Sequence, residues 1–112
     1  MRLCREFYFD AAHYLPEYKG KCENLHGHTY KLEIVVDDAV QKDGMVIDFS
    51  KMKRIIEHEV LEQLDHSSLN DLLPNPTAEH IIEWIASRLK GKLSLSSIKL
   101  WEGAGKWVEM AF

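Results

Sequence analysis

His26-Gly27-His28-Thr29-Tyr30-Lys31-Leu32-Glu33-Ile34-Val35-Val36-Asp37 is the stretch that decides the fold. Tyr30, Leu32, Ile34 and Val36 alternate with Thr29, Lys31, Glu33 and Val35. That period of two marks a strand with one buried face. His26 and His28 share the parity of the apolar set, and Gly27 between them adds no side chain to the other face. Upstream, residues 3–13 repeat the pattern, with Leu3, Phe7, Phe9 and Ala11 on one face and His13 in the same parity. A polar loop, residues 16–24, joins the two runs. If they pair through it, His13, His26 and His28 converge on the apolar face near one end of the sheet.

Downstream, Asp43-Gly44 marks a turn and two helices follow. Asp48 or Ser50 can cap the first, which runs to about Leu64 with Met52, Ile55, Ile56, Val60 and Leu64 as its apolar stripe. Thr77 is a good N-cap for the second, and Glu79 suits its positive first turn. Ile81, Ile82, Ile85 and Leu89 form its stripe, and Gly91 can end it. Residues 97–102 and 106–112 read as two strands around a Gly103-Ala104-Gly105 hairpin loop. The order ββααββ predicts an α+β domain: an antiparallel four-stranded sheet with two helices on one face. Four strands cannot close into a barrel, so the sheet keeps edges that invite pairing with another copy of the chain.

The 112 residues make one domain, residues 1–112. With 46% hydrophobic and 29% charged residues, the composition is that of a soluble globular protein, with no apolar run long enough to span a bilayer. A net charge of −4 favours neither nucleic acid nor an anionic membrane as partner. Charges run through residues 1–10, which excludes an apolar leader there and makes a reducing cytoplasm the expected location. Of the two cysteines, Cys4 sits on the strand face opposite the histidines and reads as structural.

Any one of the three histidines alone reads as a satisfied core or rim residue. Three on one apolar face point to a metal, with a fourth position left for water or substrate. Cys22, four residues before His26, reads as a fourth ligand, a passive thiol or a nucleophile or base. Asp65-His66 at the end of the first helix is a weak signal, because adjacent side chains on a helix do not face each other. Glu102 ends an apolar strand face, where a carboxylate needs a partner unless it reaches solvent at the strand end. His58 and His80 read as surface or cap residues, and Trp84, Trp101 and Trp107 as packing.

Taken together, six segments resemble the 6-pyruvoyl-tetrahydropterin synthase and 6-carboxy-5,6,7,8-tetrahydropterin synthase family. They are Phe9-Asp10-Ala11-Ala12-His13-Tyr14-Leu15, Cys22-Glu23-Asn24-Leu25-His26-Gly27-His28-Thr29-Tyr30, Gly44-Met45-Val46-Ile47-Asp48-Phe49, Leu64-Asp65-His66-Ser67-Ser68-Leu69-Asn70, Asn75-Pro76-Thr77-Ala78-Glu79 and Trp101-Glu102. The resemblance covers almost the whole chain. It implies a tunnelling fold, in which sheets from several subunits join into a barrel, as a trimer or hexamer with sites at subunit interfaces. It implies Zn2+ on His13, His26 and His28, a catalytic thiol at Cys22 working with Asp65 and His66, and a pterin anchor at Glu102.

Only three residues separate Cys22 from His26, which resembles the carboxy-tetrahydropterin branch. That branch implies a lyase converting 7,8-dihydroneopterin triphosphate to 6-carboxy-5,6,7,8-tetrahydropterin for queuosine and other deazapurines. The alternatives are a 6-pyruvoyl-tetrahydropterin synthase and a non-catalytic pterin- or zinc-binding protein. Gly103 departs from the family, which commonly has Thr after the anchoring Glu.

Overall fold

A computed structural model describes residues 1–20 and 23–112. Strands β1 (Arg2–His13) and β2 (His26–Asp37) form an antiparallel ribbon with His13 opposite His26 and Ala11 opposite His28. Helix α1 (Phe49–Ile56) continues through a π-helical turn, Glu57–Leu61, into the short α2 (Glu62–Leu64). A two-residue strand β3 (Ser67–Ser68) and a 3-10 turn, Leu69–Asp71, lead to α3 (Ala78–Leu89). Strands β4 (Leu95–Glu102) and β5 (Trp107–Ala111) close the chain as a hairpin.

The sheet order is β3-β1-β2-β4-β5. It has five strands where the pattern predicts four, and it is mixed, because β3 runs parallel to β1. Ser67-Ser68 carries no apolar alternation to announce it. The main chain makes the strand instead. His66 turns into the left-handed region at φ 57°, and its N–H donates to the Asp10 carbonyl at 2.6 Å. That turn lays the next two residues along β1.

One core joins the sheet to the helices. Phe9, Tyr30, Leu32, Ile34, Ile98 and Leu100 from the sheet pack with Met52, Ile56, Val60, Leu64, Ile81, Ile85 and Leu89. In an ideal α-helix, residues spaced by four drift around the axis by about 40° per step. Met52, Ile56, Val60 and Leu64 are nevertheless all fully buried. The wider π turn beneath them takes up the drift and keeps the stripe on the sheet.

Asp48, not Ser50, caps α1: its Oδ1 accepts from the N–H groups of Ser50 (2.6 Å) and Lys51 (3.2 Å). Thr77 caps α3 by accepting from His80 N–H. Among the described residues no helix is long and apolar enough to cross a membrane.

Candidate metal and ligand site

The β1–β2 register brings the three histidines together. Their ring centroids lie 4.6, 5.1 and 4.8 Å apart, and their ligand nitrogens all fall within 4.8 Å of one another. His13 is buried at 1% exposure, while His26 and His28 are half-buried. His13 Nδ1 lies 2.7 Å from the Pro76 carbonyl and His26 Nδ1 lies 2.7 Å from the Asn24 carbonyl. A carbonyl can only accept, so both Nδ1 atoms carry the proton. In the neutral rings each Nε2 is then a bare lone pair, and the two stand 3.1 Å apart.

Two lone pairs at that distance repel unless a cation lies between them. His28 Nε2 is buried with no hydrogen-bond partner. Burial holds the His28 imidazole below its ordinary pKa, opposed by Glu102 and reinforced by His13, His26 and Lys106. It therefore stays neutral, the form that ligates. Two rings fixed by backbone carbonyls, with an orphaned third nitrogen beside them, fit a metal such as zinc.

Glu102 ends β4 opposite Tyr30, and its Oε1 lies 3.5 Å from His28 Nε2. It lines a cavity of about 270 Å³ with Leu15, Thr77, Ala78, Glu79, Lys106, Trp107 and Val108. Glu102 thus meets the metal-site imidazole on one side and a cleft at the start of α3 on the other. Trp107 borders this cleft, with its ring centroid 5.8 Å from that of Trp101.

Asp65 and His66 do not lie on the helix, which ends at Leu64. The left-handed turn at His66 lets the neighbours pair, with Nδ1 3.0 Å from Asp65 Oδ1. Asp65 Oδ1 also accepts from Asp10 N–H at 3.0 Å, and this bond chiefly holds its carboxyl below the usual range, with His66 adding to it. Asp10 in turn accepts from the Thr29 hydroxyl.

Asp10 and Thr29 alternate to the sheet face opposite the three imidazoles. The ligand atoms of Asp10, Asp65 and His66 fall within 4.8 Å of one another, beside a shallow depression lined by Asp10, Thr29, His66 and also His28. The structure therefore brings His13, His26, His28 and Glu102 together, and sets Asp65 and His66 in a separate cluster with Asp10, at the β3 edge of β1. Cys22 lies outside the described residues.

Sequence reading missed Asp10, Thr29 and Lys106. Strand parity placed Thr29 on the far face, but nothing local tied it to Asp65. His58 and His80 are exposed, as expected. Cys4 is exposed, and partial desolvation of its thiol by its neighbours, with the carboxylates of Glu33 and Glu6, raises its pKa.

The site is the three-imidazole cluster of a small α+β domain, fit to hold a metal and joined through Glu102 to a carboxylate-lined cleft. Comparison with known proteins narrows the reading. Residues 2–111 match the 6-pyruvoyl tetrahydropterin synthase family, and the chain belongs to that family of enzymes. The 6-carboxy-5,6,7,8-tetrahydropterin synthase of Haemophilus influenzae is 40% identical, covering 90% of this chain and 92% of that one. The dihydroneopterin monophosphate aldolase of Pyrococcus furiosus is 42% identical, covering 91% and 90%. The solved 6-pyruvoyl tetrahydropterin synthase of Caenorhabditis elegans is 25% identical and superposes with a TM-score of 0.82 over 100% of this chain and 95% of that one.

Proposed function

We propose that this chain is a zinc-dependent lyase that converts 7,8-dihydroneopterin triphosphate to 6-carboxy-5,6,7,8-tetrahydropterin, serving deazapurine synthesis in the cytoplasm. The observation that carries this reading is the pair of carbonyl-tied imidazoles with bare Nε2 atoms, set with His28 beside Glu102. The 40% identity to the Haemophilus influenzae enzyme supports the choice of product.

His13, His26 and His28 would hold the ion, whose chemistry is Lewis-acid polarisation of the substrate's side-chain hydroxyls. Glu102 accepts from the amino and ring N–H groups of the pterin and so orients the ring. Cys22, as thiolate, takes a side-chain proton, and His66, held by Asp65, supplies the second acid–base function. The redox change is internal: two electrons and a proton shift from the first side-chain carbon to the ring's N5=C6 bond. Triphosphate leaves by elimination, and water adds to the first side-chain carbon as retro-aldol-type cleavage releases a two-carbon aldehyde and leaves the carboxyl.

His66 clusters with Asp10 and Asp65 and not with the three imidazoles, which supports a site completed by a second copy of the chain. The sheet's edges support the same reading. β5 pairs only with β4, and β3 covers only two residues of β1. The resulting assembly would be a trimer or hexamer with the sheets joined into a barrel.

A second reading, a phosphate-ester aldolase, is favoured by the 42% identity to the Pyrococcus furiosus enzyme. Mass spectrometry after incubation of the zinc-loaded protein with the triphosphate and, separately, the monophosphate distinguishes them. The 6-carboxy product supports the proposal. A 6-pyruvoyl product, or turnover of the monophosphate alone, overturns it.

A further inference from the structure

We infer that Lys106 is a specificity residue of the ligand cleft, donating a hydrogen bond to the ring carbonyl of the bound heterocycle while Glu102 accepts from the adjacent N–H and amino groups. This rests on the pterin reading above and adds to it a recognition contact carried by the unusual Gly103-Ala104-Gly105-Lys106 loop.

The loop positions the lysine. Gly103 and Gly105 adopt φ of 73° and 82°, a left-handed conformation that side chains rarely allow. Glu102 N–H donates to the Lys106 carbonyl at 3.3 Å and closes the turn. Lys106 thereby returns to face Glu102, with Nζ 3.9 Å from Oε1. Both side chains line the same cavity, with Glu79, Trp107 and the first turn of α3.

At 3.9 Å the two charges attract but do not hydrogen-bond. The ammonium keeps its donors and the carboxylate keeps its lone pairs. Side by side they offer acceptor sites next to a donor. A ring edge that reads amino, N–H, carbonyl is the complement, and a 2-amino-4-oxo heterocycle carries that edge. Glu79 and Glu102 also line the cleft, so Lys106 is a single donor among acceptors and not part of a cationic cluster. That arrangement suits ring recognition.

The test measures dissociation constants for pterin and for its 4-thioxo analogue, which keeps the amino and N–H groups and weakens only the acceptor. Wild type should prefer the oxo ligand. Lys106→Met should bind pterin about tenfold to a hundredfold more weakly and lose most of the oxo–thioxo preference, whereas Lys106→Arg should retain both. Thermal melting and zinc content report that the fold and metal site are intact, and Lys106→Gln provides a second neutral variant. If both neutral variants bind pterin and discriminate as wild type does, the pair is a solvated surface contact and the inference is wrong. If wild type binds neither ligand, the pterin reading falls together with the inference.

Discussion

At the scale of single residues, the three histidines were legible because strand alternation is a strict rule and all three shared one parity. Their tautomers were not legible. The carbonyls that fix them belong to Asn24 and Pro76, the second lying 63 residues from His13. The helical placement of Asp65 and His66, which made the pair a weak signal, is overturned for a related reason. Helix periodicity forbids neighbours from meeting, but the left-handed His66 takes them off the helix. Three outcomes follow from the histidine and Glu102 contacts and from the role proposed for Cys22. His28→Ala leaves the carbonyl-tied pair without its third donor, so zinc measured by elemental analysis should fall from about one per chain to little or none. Cys22→Ala should retain zinc, since three imidazoles remain, and lose most turnover. If that variant turned over normally once zinc was restored, Cys22 would not be the catalytic thiol. Glu102→Gln replaces one acceptor with a donor that faces a donor, and pterin affinity should drop about tenfold to a hundredfold with the melting temperature little changed.

Elements were read best where their signal was long. β2 spans the twelve residues whose alternation announced it, and both helix caps fall where a capping side chain stands before an apolar stripe. β3 escaped because two serines carry no period; a main-chain bond from His66 to β1 creates it. The π turn escaped because a stripe spaced by four fits an α-helix nearly as well over one or two turns. Asp48 at the start of α1 is a direct test of the element's local energetics. It accepts two N–H bonds that would otherwise be left to water, so Asp48→Ala should destabilise the fold by about 1 kcal/mol, read as a fall of a few degrees in melting temperature. No change would mean that packing of Met52 and Ile56 alone fixes where the helix begins.

For the whole molecule, the position of each cluster matters more than its chemistry. The Asp10, Asp65 and His66 cluster is separate from the three imidazoles within one copy, and on the proposed reading a second copy continuing the sheet brings His66 to its neighbour's imidazoles. The separation of the two clusters was not legible in strand parity alone, because a backbone turn sets where His66 lies. The arrangement makes a quantitative prediction from inactive parts. Cys22→Ala and His66→Ala chains should each be inactive as pure assemblies. Dissociated, mixed in equal amounts and reassembled, they should recover activity if a site takes Cys22 from one copy and His66 from the next. With random exchange, half the sites have an intact thiol, and half of those meet an intact imidazole, so about a quarter of wild-type activity should return. Native mass spectrometry of the mixture checks that exchange was complete. Fully exchanged oligomers with no recovered activity would place Cys22 and His66 in the same copy's site, and the shared-site reading would have to be abandoned.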